Sequence, residues 1–307
     1  MIRSFSDIDR TAVEKGPKRL VVLAPEDEEF IEAVKESMVR RYIEPVLIGS
    51  RQKMEQLSDK LEIDISRVEK IYETDRQAIA DKGINMLFSG EVDIAGKGQI
   101  PTAYIYRAII REEAKRQKRT VSVISLWDIE GLNGLTSFTD TGVNINPDYQ
   151  AKVQIIRNAV SLFHLLGYSR PRVSILSGQR EIGGTLPSYE VCVRLKEACA
   201  AGELGACEVV DASSFGDIFI PGLKKYSRED IRMGEVDFPE IMVVPDLTTG
   251  NILVKLDFAI PRVRRRSLVM TSRGPVIIPA RSDFRESIAG EIATGVVVAD
   301  RIKEAAP

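Results

Sequence analysis

Arg19-Leu-Val-Val-Leu-Ala24, followed directly by Pro25-Glu-Asp-Glu-Glu29, decides the architecture. The first stretch is a short, unbroken apolar run. It is too brief for a helix and lacks the alternation of a half-exposed strand, so it reads as a strand of a parallel sheet covered on both faces. The acidic cluster suits the first turn of a helix, where unpaired N–H groups and the helix dipole favour negative charge. That helix should run to about Arg41. The strand-then-helix reading repeats outward. Pro45-Val-Leu-Ile-Gly49 is a strand, a helix starts near Lys53, and a strand lies near Ile71. A helix from Asp75 to Lys82 should stop at Gly83, and Met86-Leu-Phe88 should form a strand ending at Gly90.

Farther along, Tyr104–Arg116 reads as a helix and Val121–Leu126 as a strand. The clearest helix is Tyr149–Leu166, where Val153, Ile156, Val160 and Phe163 step by three and four; Pro147 and Asp148 open it and Gly167 closes it. Strands follow at Arg172–Leu176, Glu208–Val210 and Ile241–Val244, with a helix at Pro187–Ala200 and another after Gly250. The end reads as strands near Leu268–Thr271 and Val276–Ile278 and a helix from Ser282 to Ile302. Repeated βα units imply a mostly parallel, doubly wound α/β architecture. The polar, weakly periodic stretch from Asp211 to Phe238 reads as a long excursion, either loop or partner contact.

At 307 residues the chain suits two α/β domains. Hydrophobic residues make up 44% and charged residues 29%, the balance of a soluble globular protein. A net charge of -2 creates no global field towards nucleic acid or membrane. Two basic clusters, Arg262/Arg264/Arg265/Arg266 and Lys115/Arg116/Lys118/Arg119, are either solvated faces or a docking rim for nucleotide phosphates. The start lacks the apolar core of a signal peptide and no run of 18 apolar residues occurs, so a cytoplasmic protein without a membrane span is expected. Cys192, Cys199 and Cys207 form no C-x-x-C pair and read as reduced, core-packing thiols. The sole histidine, His164, lies within the strongest helix, which argues against Ser-His-Asp, Cys-His and multi-histidine metal chemistry. Gly96-Lys-Gly98 lacks the rest of a P-loop and no G-x-G-x-x-G occurs.

Three segments carry chemistry instead, each at a strand-to-helix junction, where open α/β sheets bind ligands. Ser137–Asp148 packs Thr139, Asp140, Thr141, Asn144 and Asn146 before the strongest helix; turn chemistry alone is the alternative. In Val243–Lys255, a helix beginning near Gly250 or Asn251 offers free backbone donors to an anion, and Asn251 and Lys255 stand one turn apart. In Pro275–Asp283, Ser282 or Asp283 can cap the last helix, Asp283 with Glu286 has capping-box spacing, and the Arg281 fork matches a phosphate dianion. An ordinary capped helix and an Arg–carboxylate surface pair are the respective alternatives.

On these residues the chain resembles the phosphate acetyltransferase and phosphate butyryltransferase family. Thr139-Asp140…Asn144-Ile-Asn-Pro-Asp148 is similar to its T-D-x-x-x-N-I-x-P-D. Val244-Pro-Asp…Gly250-Asn-Ile-Leu…Lys255 is similar to V-P-x-x-x-x-G-N-x-x-x-K, and Pro275-Val…Arg281-Ser-Asp283 to P-V-x-x-x-S-R-x-D. The likeness is collinear over nearly the whole chain. It implies an isocitrate/isopropylmalate dehydrogenase-like fold: two doubly wound α/β domains flanking a deep cleft, one from 1–138 with 272–307 and the other from 139–271. Two departures stand out: Ala280 where the family has Ser, and Ser89 where a lysine is usual.

The resemblance implies acyl exchange between coenzyme A and inorganic phosphate, with acyl-CoA and phosphate as substrates, no bound cofactor, no metal, and a homo-oligomer. Arg281 and donors near Ser282 would fix phosphate. Asn251 and Thr139 are candidates for the oxyanion, and Asp140 or Asp283 for the proton of the CoA thiol. Asn144 would help bind substrate, and Lys255 would balance phosphate or diphosphate charge. The alternatives are a non-catalytic CoA or acyl-phosphate binder, which Ala280 and Ser89 make plausible, and a metal- and NAD-dependent dehydrogenase of the same fold.

Overall fold

The computed structural model describes residues 1–116, 119–177, 187–210, 214, 216, 218, 238–280 and 282–305. The chain forms two compact units, an outer one of Phe5–Val121 with Arg266–Pro307 and a central one of Met1–Ser4 with Ser122–Arg265. The expected division at 138/139 and 271/272 lies elsewhere. The first of those positions falls inside a strand that is hydrogen-bonded to its predecessor, so both strands belong to the central unit.

The outer unit opens with α1 (Phe5–Lys15), absent from the sequence reading, whose Phe5, Ile8 and Ala12 make one buried face. Strand β1 (Lys18–Leu23) is buried along its apolar run, flanked in parallel by β2 (Ile43–Gly49) and β4 (Ile94–Lys97). Helix α2 (Glu28–Val39) starts where the acidic cluster indicated: the Asp27 carboxylate accepts from Phe30 N at 3.0 Å. After β2 come α3 (Arg51–Lys60) and β3 (Glu69–Tyr72), then α4 (Arg76–Ser89). With α5 (Thr102–Arg116), β10 (Val263–Met270), β11 (Pro275–Ile277) and α9 (Arg285–Ala305) the strand order is β3-β2-β1-β4-β11-β10. The sheet is parallel apart from the β10–β11 pair. Helix α9 packs against α1, α2 and β11, and α4 against α5 and β1.

Two expectations fail in α4. Met86-Leu-Phe88 is not a strand but the buried side of this helix, together with Ile79, Ala80 and Ile84. Gly83 does not end the helix either. It lies inside because a Cβ there would meet Leu23 Cδ2 at 2.1 Å. The left-handed stop is Gly90, with φ 84°.

In the central unit β5 (Ser122–Ile129) and β6 (Thr136–Thr139) are antiparallel. Helix α6 (Tyr149–Leu165) follows, capped by Asp148 on Ala151 N at 2.8 Å and closed by Gly167. Then come β7 (Arg172–Ile175), α7 (Pro187–Ala200), β8 (Glu208–Val209) and β9 (Ile241–Val243). The order is β5-β6-β9-β7-β8, so the late strand β9 inserts at the centre, parallel to β6 and β7. Helix α8 (Leu247–Leu253) continues as a 3₁₀ turn, Val254–Phe258. Most of the 211–238 excursion lies outside the described residues. Among the described residues no helix is long and apolar enough to cross a membrane.

Cys192 and Cys207 are buried and Cys199 half-buried, with 3.8 Å between the sulfurs of Cys199 and Cys207. Burial raises the Cys207 thiol pKa to about 12. In the 262–266 cluster each arginine has a carboxylate partner: Arg262, Arg264, Arg265 and Arg266 reach Glu130, Asp128, Asp257 and Asp9 respectively. Arg266 also lies over the Phe5 ring, 4.3 Å from its centroid, against Gly290 of α9.

Gly98, directly after β4, is required by close backbone approach: a Cβ would stand 2.1 Å from the Ala24 carbonyl oxygen and 3.1 Å from that of Leu23. Main chain cannot yield as a side chain tip can. Gly98→Ala is therefore expected to cost about 3 kcal/mol or slightly more, measured as a lower urea midpoint at unchanged slope. Gly90→Ala, with open space around it, should cost only the left-handed backbone strain of roughly 1 kcal/mol.

Candidate active site

The first two motifs come together in the central unit, at the ends of β6 and β9. Asp140 is 3% exposed. One carboxylate oxygen accepts from Val123 N at 2.9 Å, Gly142 N at 3.0 Å and Val143 N at 3.3 Å. The other accepts from Asn144 N at 2.7 Å and from the Asn144 side-chain amide. A carboxylate engaged by five N–H donors organises its loop and has no open lone pair with which to take a thiol proton. Thr139 is fully buried, and its hydroxyl donates to Val123 O at 3.0 Å. Its single proton is thus not offered to an oxyanion. Both residues are framework. Asn144 is half-buried at the rim of the loop they build.

The second motif rests on the first. Val244 N donates to Thr139 O at 2.8 Å and Leu247 N to Ile145 O at 3.1 Å. Helix α8 begins at Leu247, earlier than the glycine suggested, because Asp246 caps it through Thr249 N at 2.8 Å. Gly250 is interior to the helix, where a Cβ would lie 2.7 Å from Asp140 O and 3.1 Å from Thr141 Cα. Asn251 and Lys255 therefore sit beyond the helix start, both exposed. The expected anion-binding N-terminus at Gly250 is replaced by a start that Asp246 already occupies.

One residue of this region carried no sequence signal. Lys152, in the first turn of α6, is 5% exposed; its ammonium donates to Pro245 O at 2.7 Å and Val244 O at 3.3 Å. Lysine is an ordinary helix former, so only burial marks it.

The third motif belongs to the outer unit. Ala280 N donates to the Asp283 carboxylate at 2.7 Å, and Asp283 N to Ala280 O at 3.0 Å, closing the turn on itself. Asp283 is buried and Ser282 exposed. Arg281 lies outside the described residues. Helix α9 starts at Arg285, later than expected, and Arg285 N donates to the Glu29 carboxylate at 2.7 Å. A carboxylate thus already holds one of the helix-start donors that had been assigned to phosphate.

The strand expected at 86–88 with Ser89 at its end is supplied instead by β4, which ends at Lys97 and is followed by Gly98. Ser89 is the last residue of α4, its hydroxyl donating to Met86 O at 3.0 Å. A strand–Lys–Gly arrangement is therefore present at Ile94–Gly98. β4 pairs with β11 at Ala95↔Val276 and Gly96↔Ile277, so Lys97 stands beside the start of the third-motif loop. The loops leaving β1 and β4 lead to helices that pack with different partners, α2 with α9 and α5 with α4. Such divergence is the point at which open α/β sheets bind ligands. Among the described residues no group of three or more His, Cys, Asp or Glu is placed to hold a metal ion.

The sequence profile of the family described as "Phosphate acetyl/butaryl transferase" matches residues 73–263, a span holding the first two motifs and Lys97. The chain belongs to this family of acyltransferases. It is 25% identical to a phosphate butyryltransferase of Clostridium acetobutylicum over 97% of this chain and 99% of that one. It is 24% identical to a phosphate acetyltransferase of Rhizobium meliloti over 95% of this chain and 92% of that one. In fold it is similar to a branched-chain phosphotransacylase from Enterococcus faecalis V583, with a TM-score of 0.76 at 17% identity over 93% of this chain and 99% of that one.

Asp140→Asn exchanges an all-acceptor group for one whose amide protons face backbone N–H donors. We expect a loss of about 2–4 kcal/mol in urea unfolding, since hydrogen bonds to charged groups are the strong ones, with activity lost in parallel. A variant of full stability and no activity would instead make Asp140 a chemical participant.

Proposed function

We propose that this chain exchanges an acyl group between coenzyme A and inorganic phosphate, acyl-CoA + phosphate giving acyl phosphate + CoA. The observation that carries the reading is the family match over a span whose two motifs fold onto one another at adjacent strand ends. A phosphate oxygen attacks the thioester carbonyl carbon, the carbon–sulfur bond breaks, and CoA leaves as a thiolate that takes up a proton. Arg281 and Ser282 hold the phosphate, with Lys97 as a further cation on the neighbouring strand end. The exposed Asn251 donates to the developing oxyanion, and Lys255 balances phosphate or diphosphate charge. Asn144 contributes to the substrate rim. Asp283, whose carboxylate accepts from Ala280 N, is the acid assigned to the thiol proton, since the Asp140 carboxylate is filled by five N–H donors. The protein takes CoA as a substrate, holds no resident cofactor or metal, and works in the cytoplasm as a homo-oligomer.

The reading is tested by CoA release from a panel of straight and branched acyl-CoAs, with and without phosphate. Phosphate-dependent release is expected; binding of CoA without release from any acyl-CoA would favour the non-catalytic binder that Ala280 suggests.

Two substitutions sharpen it. Arg281→Ala should raise the phosphate KM at least tenfold while changing the acyl-CoA KM little. Ser282→Ala should lower kcat roughly a hundredfold if this exposed hydroxyl replaces the one missing at Ala280, whereas Ala280→Ser should change little. Full activity in Ser282→Ala would remove that role.

A further inference from the structure

Lys152 is a buried cation that the reaction above does not use. Its two acceptors, Val244 O and Pro245 O, are the carbonyls that follow β9, the central strand of its sheet. The turn they form leads through Asp246 into α8, which carries Asn251, and on to Lys255. Helix α6, which carries Lys152, is entered from the loop built on Asp140. The ammonium therefore ties the helix of one motif to the turn of the other.

Burial lowers the Lys152 pKa to about 8, against the attraction of Asp246, which raises it. Asp148 caps the same helix on Ala151 N, and Asp140, at the end of β6, is engaged by its own loop. From α7, Arg194 lies over the ring of Tyr149. With the folded pKa depressed, the unfolded chain binds the extra proton between about pH 8 and the ordinary value of 10.5. Stability thus rises as pH climbs through that window, and below it the charged form costs the fold its full penalty. The charged form, costly to bury, is the one that makes charge-assisted hydrogen bonds to the turn.

We propose that Lys152 is a positioning residue for acyl transfer: its ammonium holds the Val244–Asp246 turn so that α8 presents Asn251 and Lys255 to the ligand. The proposal rests on the acyl-transfer reading.

The test uses the full chain with Lys152→Met and Lys152→Arg, assayed between pH 6 and 9.5, with urea unfolding alongside. At pH 7, Lys152→Met should lower kcat at least tenfold while both KM values stay within about threefold. Wild-type kcat should fall above pH 8 as the amine loses its proton, and this limb should be missing in both variants. Lys152→Arg, permanently charged, should keep more activity than Lys152→Met. A folded Lys152→Met with kcat within twofold of wild type, or the same alkaline limb in either variant, overturns the proposal. Should Lys152→Met not fold, the limb in Lys152→Arg decides alone. Where wild type turns over no acyl-CoA, the acyl-transfer reading fails, and calorimetric CoA binding takes the place of rate. A weakening above pH 8 that is lost in Lys152→Arg then supports positioning, while an identical pH dependence, or no CoA binding at all, overturns it.

Discussion

The Asp140 carboxylate, buried and surrounded by N–H donors, is the constraint on which the central unit's ligand-facing end depends. It reaches back to Val123 on β5 and forward to Gly142, Val143 and Asn144, so one side chain sets both the strand it follows and the loop it begins. A buried charge without such partners would not persist. The loop in turn provides the surface against which α8 lies, with Gly250 on the Asp140–Thr141 backbone and Leu247 N on Ile145 O. What reads in sequence as two motifs separated by a hundred residues is, in the folded chain, one object.

Much of the fold was legible because its cues were strong and local. The apolar run at β1, the acidic start of α2, the Asp148 cap and Gly167 stop of α6, and the span of α7 all act within a few residues. Two of the failures have a common cause in glycine. Gly83 and Gly250 were read as helix boundaries, yet each lies within a helix because another segment presses against it: Leu23 in one case, the Asp140–Thr141 main chain in the other. A glycine required by a distant neighbour looks the same in sequence as one required by its own φ. A helix ending at Gly83 would leave Met86–Phe88 free to be a strand; because the helix continues to Ser89, the next strand is Ile94–Lys97.

The site was legible as a set of motifs but not as a division of roles. Thr139 and Asp140 have the residue types of chemistry and the burial of framework. Lys152 was invisible for the opposite reason. A lysine in the first turn of an amphipathic helix is ordinarily solvated, and only the insertion of β9 between β6 and β7 buries it against the Val244 and Pro245 carbonyls. Strand order of that kind is a long-range property that no local pattern carries.

The three motifs share a construction that bears on ligand charge. Each contains an acid that folds onto backbone N–H groups of its own loop: Asp140 onto 142–144, Asp246 onto Thr249, and Asp283 onto Ala280. An exposed carboxylate beside an anionic substrate would repel it, and a strand-end loop with unpaired donors would be poorly ordered before the substrate arrives. Turning each acid inward answers both problems, since the negative charge is met by N–H dipoles and the loop is fixed in advance. Exposed in these segments are an amide, a hydroxyl and a cation, namely Asn251, Ser282 and Lys255. Phosphate and the thioester oxyanion both call for donors and positive charge. The orientation of the acids, more than the identity of any single exposed residue, therefore suits each loop, taken by itself, to a negatively charged ligand.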